Sequence, residues 1–202
     1  AKQKILFRLG TQAFANADFP EAIRFLNESL TLGQYNAATK ADAYYWRGEA
    51  NYRLEKYQAA GSDLRHYLEF ATDKSSQEYG LALYNLGYTE FKQKKYTEAL
   101  NWFSRYVKRG SGNHRQIQAD AYNRIGDCFF YARNFESARQ NYAKAADTEP
   151  SLGDYSLYQE GFVRGLQRDY AGKIQSLNKL ITDYPKSQYI DDALYEQGRA
   201  FV

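Results

Sequence analysis

Ala82-Leu83-Tyr84-Asn85-Leu86-Gly87, followed by Phe91, Tyr96, Ala99 and Phe103, is the stretch that decides the fold. Leu83, Leu86, Gly87 and Phe91 recur at i, i+3, i+4 and i+8, the spacing of one apolar face of an α-helix. Lys94-Lys95 then places positive charge at the helix end, where the helix dipole favours it. Tyr96, Ala99, Leu100, Phe103 and Val107 form a second apolar face at helical spacing. The stretch therefore predicts helix A, a short turn and helix B.

The same columns recur along the chain. Glycine stands at Gly10, Gly48, Gly87, Gly126, Gly161 and Gly198, at intervals of 38, 39, 39, 35 and 37 residues. Four residues before it come Leu6, Tyr44, Leu83, Tyr122, Leu157 and Leu194, and nine after it Phe19, Tyr57, Tyr96, Phe135 and Tyr170. Twelve after it stand Ala22, Ala60, Ala99 and Ala138, with Lys173 as the exception. Sixteen after it stand Leu26, Leu64, Phe103, Tyr142 and Leu177. Repetition at this period signals a solenoid of stacked helix pairs. A glycine inside a helix costs about 1 kcal/mol against alanine. Close approach of helix B is the compensation, with the alanine column expected as the facing contact. Asp18, Asn134 and Asp169 are good N-cap types for helix B, and Pro20 suits its first turn.

These columns resemble the tetratricopeptide repeat, whose pattern includes the leucine-glycine pair, the aromatic, the alanine and a closing proline. Pro150 and Pro185 stand where that proline belongs. The chain departs from the pattern at Arg47, Glu160 and Gln197, where leucine is usual before the glycine, and at Lys173 and Gly165 in the fifth copy. The segment from Asp183 to Tyr195 is similar to the longer repeats of bacterial envelope proteins, such as the lipoprotein subunit of the outer-membrane β-barrel assembly machine and the Tol–Pal-associated coordinator. The resemblance implies an all-α fold, a right-handed superhelical solenoid of antiparallel helix pairs. The expected organisation is one solenoid over 1–202. Its five helix pairs span about 2–36, 39–74, 78–110, 116–149 and 153–184, with helix A of a sixth at 189–202. The open ends and the absence of methionine predict a segment of a longer protein, and the ends could support homo-association. Gly110-Ser111-Gly112-Asn113 is turn material.

Helix A carries a second stripe, three before, one after and four after each glycine. In order it reads Phe7, Thr11, Phe14; Tyr45, Glu49, Tyr52; Tyr84, Tyr88, Phe91; Asn123, Asp127, Phe130; Tyr158, Phe162, Gly165; Tyr195, Arg199, Val202. In the resembled family that face lines the concave groove. Tyrosine offers a large apolar body, a polar tip and few rotors, which suits a binding surface. The expected partner-binding residues are Tyr45, Glu49, Tyr52, Tyr84, Tyr88, Phe91, Asn123, Asp127, Tyr158, Phe162 and Tyr195. The expected function is a non-catalytic scaffold for a protein or peptide, either an extended segment or a partner helix. The alternative is a glycan or peptidoglycan-type polymer stacking on the same aromatic ladder. The carboxylate-clamp asparagine of chaperone-binding relatives is replaced after the glycine by Thr11, Glu49, Tyr88, Asp127 or Phe162, which argues against a clamp.

Composition narrows the remaining classes. With 44% apolar and 25% charged residues the chain reads as globular. The net charge of +3 is mixed along the chain and predicts no nucleic-acid partner. No run of about 18 apolar residues predicts a transmembrane span. Cys128, His66 and His114 are too few for a metal centre, and no cofactor is expected. No nucleophile triad or phosphate loop appears, so no enzyme is expected. The envelope resemblance suggests the bacterial cell envelope or periplasm, with the cytoplasm as the alternative.

Overall fold

The computed structural model describes residues 1–110 and 114–201. Ser111–Asn113 of the expected turn, Val202 and the side chain of Phe201 lie outside that description. The chain divides into two compact units, Ala1–Trp102 and Phe103–Val202. Among the described residues the regular structure is helical, with eleven α-helices and three short 3₁₀ turns. The first unit holds α1 (Lys2–Ala15), α2 (Phe19–Thr31), α3 (Ala37–Arg53), α4 (Tyr57–Phe70), α5 (Gln77–Lys92) and the start of α6 (Tyr96–Lys108). The second holds the rest of α6, α7 (Arg115–Tyr131), α8 (Phe135–Thr148), α9 (Asp154–Leu166), α10 (Tyr170–Asp183) and α11 (Ile190–Gly198). From α1 to α5, and again from α7 to α11, each helix packs against the next.

The turn from helix A to helix B is built the same way five times. Ala17, Glu55, Lys94, Arg133 and Arg168 all take left-handed backbone, with φ between 58° and 61°. In the first copy Asp18 N–H donates to Ala13 O and Ala17 N–H to Phe14 O, both at 2.9 Å. This is the double closure of a Schellman motif. The matching bonds close the other four turns at 2.9–3.1 Å. The residue after the left-handed one is also the N-cap of helix B. Asp18, Asn134 and Asp169 accept a backbone N–H from Glu21, Ser137 and Gly172. Lys56, in the same place, makes no side-chain cap. The turn also seats one ring on another: Phe14 on Phe19, Tyr52 on Tyr57, Phe91 on Tyr96 and Phe130 on Phe135, with centroids 5.3–5.9 Å apart.

The glycine column meets the residue sixteen later more closely than the alanine column. A Cβ on Gly10 would lie 2.7 Å from Leu26, on Gly126 2.6 Å from Tyr142, and on Gly161 2.9 Å from Leu177. What the column twelve later presents is backbone: the carbonyls of Ala22, Ala60 and Lys173 lie 3.4 Å from the Cβ positions of Gly10, Gly48 and Gly161. This corrects the expected facing contact. An alanine at +12 is small because its own backbone is the close neighbour, while the large +16 side chain fills the space the glycine leaves. Leu26, Leu64, Phe103 and Leu177 are fully buried and Tyr142 is 1% exposed.

The departures from the repeat pattern are polar contacts. Arg47 of α3 grips buried Asp63 of α4 through two bonds of 2.5 and 2.9 Å. Glu160 accepts from Arg164, and Gln197 donates to Asn178. In the fifth copy Lys173 reaches Glu196 of α11 at 2.6 Å with both side chains buried. Gly165 is the reason it fits, because a Cβ there would stand 3.0 Å from the Lys173 stem. Leu194 of α11 is 51% exposed.

Two substitutions test this packing. Gly126→Ala is expected to cost about 1–3 kcal/mol by forcing the Tyr142 ring aside. Gly198→Ala, with nothing within 4 Å, is expected to cost nothing. Urea unfolding of both variants checks the contrast, and equal effects would count against the close approach. Arg133→Gly is expected to gain about 1 kcal/mol by relieving the left-handed strain, read in the same assay.

Candidate partner-binding face

In the first unit α3 and α5 bring the expected residues together. Between them lies a cleft of about 330 Å³ lined by Glu49, Tyr52, Arg53, Tyr84, Asn85 and Tyr88. Glu49 and Arg53 are one turn apart on α3, and Tyr84 and Tyr88 one turn apart on α5. The Tyr84 and Tyr88 rings meet edge to face at 5.1 Å. Asn85 ties the two helices by donating to Glu49 Oε1 at 2.8 Å and to Tyr45 Oη at 3.3 Å. Tyr45 lies beside Trp46 and Tyr67, edge to face with both. Burial, then the Glu49 charge, raises its hydroxyl well above the ordinary tyrosine value. Burial also raises the Glu49 carboxyl above its ordinary value, against the opposing pull of Arg53 and the Asn85 bond. Phe91 belongs to the turn, on Tyr96.

The second unit uses the same positions differently. Asn123 and Asp127 are buried, at 7% and 6% exposure, where an open groove was expected. Asp127 accepts from Tyr142 at 2.8 Å and Tyr155 at 2.7 Å, and pairs with Arg124 at 2.6 Å. Burial dominates its carboxyl and raises it. Asn123 accepts from Ser156 at 2.9 Å. Both side chains brace neighbouring helices. The spacing shows only that Glu49 and Asp127 occupy the same helical position; Tyr142 and Tyr155, from other helices, enclose the second acid. Tyr158 stacks flat on Tyr189 at 5.3 Å, and Phe162 lies 6.1 Å from Phe130. Tyr195 is 66% exposed. A second cleft, about 480 Å³, is polar, with Asp120, Arg124, Asp154, Tyr155 and Tyr189 on its wall.

Arg53, Asn85, Arg124 and Tyr155 were missed. Arg53 and Asn85 each follow a stripe residue by one position, so a face drawn wider than one i, i+4, i+7 line would have included them. Tyr155 falls on no repeated column. Cys128 is buried and its thiol is pushed up to about 12 by burial, so it is a core residue without a reactive thiolate. Among the described residues no group of three or more His, Cys, Asp or Glu side chains could hold a metal ion. No described helix is long and apolar enough to cross a membrane.

Models of the tetratricopeptide repeat match residues 78–148 and 155–187, together just over half of the chain. No curated protein matches the sequence. Solved structures do match in fold. One is YrrB, described as a TPR protein with an unusual peptide-binding site (TM-score 0.77, 20% identity, 96% of this chain and 90% of that one). Another is residues 41 to the end of MamA from Desulfovibrio magneticus RS-1 (TM-score 0.76, 21% identity, 93% and 97%). A third is the C-terminal part of a TPR repeat-containing protein from Cytophaga hutchinsonii (TM-score 0.76, 24% identity, 96% and 69%). At these identities the likeness is one of fold.

The raised Glu49 carboxyl makes a prediction about pH. The folded chain holds that proton more tightly than the unfolded chain does. Its contribution to stability is therefore present below the ordinary carboxylate value of 4.5 and is lost as pH rises through the raised value. Glutamine keeps the Asn85 bond without the charge. Glu49→Gln is expected to be more stable than the native chain at neutral pH and equal to it below 4.5, by urea unfolding at both. A native chain as stable as the variant at neutral pH would contradict the burial cost.

Proposed function

The chain belongs to the tetratricopeptide repeat family, and from that premise we propose that it is a non-catalytic scaffold that holds a segment of another protein against the tyrosine-rich face of α3 and α5. The observation that carries this is the cleft formed by Glu49, Tyr52, Tyr84, Asn85 and Tyr88. It joins large apolar ring surface to a few fixed polar groups, the usual make-up of a recognition pocket. It is also open at the surface of two successive A helices, so an extended chain or a partner helix can lie across it. In the second unit Tyr158, Phe162 and Tyr195 offer further aromatic surface, while Asn123 and Asp127 are buried and brace neighbouring helices. The peptide-binding site in the description of YrrB is consistent with this use of the fold. A place in the bacterial envelope is part of the same proposal, on the resemblance of residues 183–195; subcellular fractionation tests it, and recovery from the cytoplasm overturns it.

Selection of random peptides on the native chain tests the scaffold reading. The expected outcome is a set of peptides whose binding falls at least about thirtyfold in the Tyr52→Ala, Tyr84→Ala double variant, as for loss of an aromatic hot spot. Circular dichroism should show both chains equally helical. Peptides bound equally by the variant, or no selected peptide at all, would overturn the site.

A further inference from the structure

We propose that the cleft between α3 and α5 takes a cationic side chain of the bound segment: a lysine, a methylated lysine or an arginine. The inference rests on the peptide-binding reading above and names the chemistry recognised there. The cleft volume, about 330 Å³, is near the low end for small-ligand pockets, room for one side chain. Three of its six lining residues are tyrosines, and the face of an aromatic ring attracts an ammonium or guanidinium group.

The fourth wall is Glu49. Its carboxylate is half-buried and accepts one hydrogen bond, from the neutral amide of Asn85. Among the described residues no lysine or arginine lies within ion-pair distance of it. The buried acids described in this chain do have such partners: Asp63 has Arg47, Glu90 has Arg65 and Lys95, Asp127 has Arg124, Glu160 has Arg164, and Glu196 has Lys173 and Arg199. Arg53 acts on Glu49 only from beyond ion-pair distance, and a carboxylate withdrawn from water without a close counter-charge is costly. Glu49 faces a cleft, so the missing cation can come from a ligand. Its buried setting strengthens that attraction, because the charge is little screened.

Arg53 stands one turn further along α3, exposed at the rim of the same cleft. Its charge opposes a bound cation and favours a bound anion. It therefore decides the sign of the test. Glu49→Gln should weaken a cationic ligand and Arg53→Gln should leave it unchanged or tighten it. An anionic ligand would show the reverse.

The probes are N-acetyl-lysine methylamide, its Nζ-trimethylated form and N-acetyl-arginine methylamide. N-acetyl-norleucine methylamide and N-acetyl-glutamate methylamide are the neutral and acidic controls. The readout is the NMR shifts of the Tyr52, Tyr84 and Tyr88 rings, assigned by single tyrosine-to-phenylalanine replacements. We expect the cationic probes to shift these rings where the controls do not. Glu49→Gln should raise their Kd at least about tenfold, as for loss of a charge-assisted contact. Controls that shift the rings equally, a Glu49→Gln variant that binds as before, or an Arg53→Gln variant that loses the cation would each overturn the proposal. If selected peptides need Tyr52 and Tyr84 but the cationic probes shift nothing, the cation inference falls and the scaffold reading stands. If the cationic probes bind while no peptide is selected, the scaffold reading falls and the cleft is a site for a free organic cation.

Discussion

Everything else in this fold depends on how closely helix B approaches the glycine of helix A. At Gly10, Gly126 and Gly161 a single added carbon would lie within 3 Å of a buried side chain. Each such glycine weakens its own helix by about 1 kcal/mol. What it admits is a fully buried leucine or tyrosine, worth about 1.5–3 kcal/mol. The exchange is favourable at each pair, and it sets the separation between the two helices. Alanine at the +12 position follows, because at that separation the backbone of helix B is itself the neighbour.

The turn is the second constraint. One residue in left-handed backbone and one that serves as both helix closure and N-cap leave no freedom in how A leads into B. None of the five left-handed residues is glycine. The strain is accepted because two backbone hydrogen bonds close every turn and, in four of the five, an aromatic pair packs across it. A reproducible turn places the +4 aromatics Phe14, Tyr52, Phe91 and Phe130 against the first residue of the helix B that follows. On α3 and α5, Tyr52, Tyr84 and Tyr88 then come to one cleft.

Charge is what distinguishes one copy from another. Arg47 with Asp63, Arg65 with Glu90 and Lys173 with Glu196 each tie a particular helix to a particular neighbour. In each the carboxylate is buried, so removing its basic partner leaves a buried charge uncompensated. They therefore favour the native order of neighbours over a slipped one. Glu49 lies outside this scheme, as a raised carboxyl held by an amide at the edge of a cleft. Giving up stability to keep a polar group available is the usual trade at a binding site.

Helix identity, turn positions and the buried columns were legible in the sequence, because each depends on spacing within one helix or between a helix and its immediate successor. The N-caps at Asp18, Asn134 and Asp169 were legible for the same reason. The candidate site was legible in outline: Glu49, Tyr52, Tyr84 and Tyr88 were read from one stripe and line one cleft. Arg47, Gly165 and Lys173 read as flaws in a pattern, since their partners Asp63 and Glu196 belong to other columns. Asp127 read as the twin of Glu49. By itself, then, the sequence determined which face of each helix is apolar and where helix A turns into helix B. Only tertiary structure decided which polar residues on the other face are exposed. That depends on what the neighbouring helices place opposite them: two tyrosine hydroxyls and an arginine over Asp127, an amide and an open cleft beside Glu49.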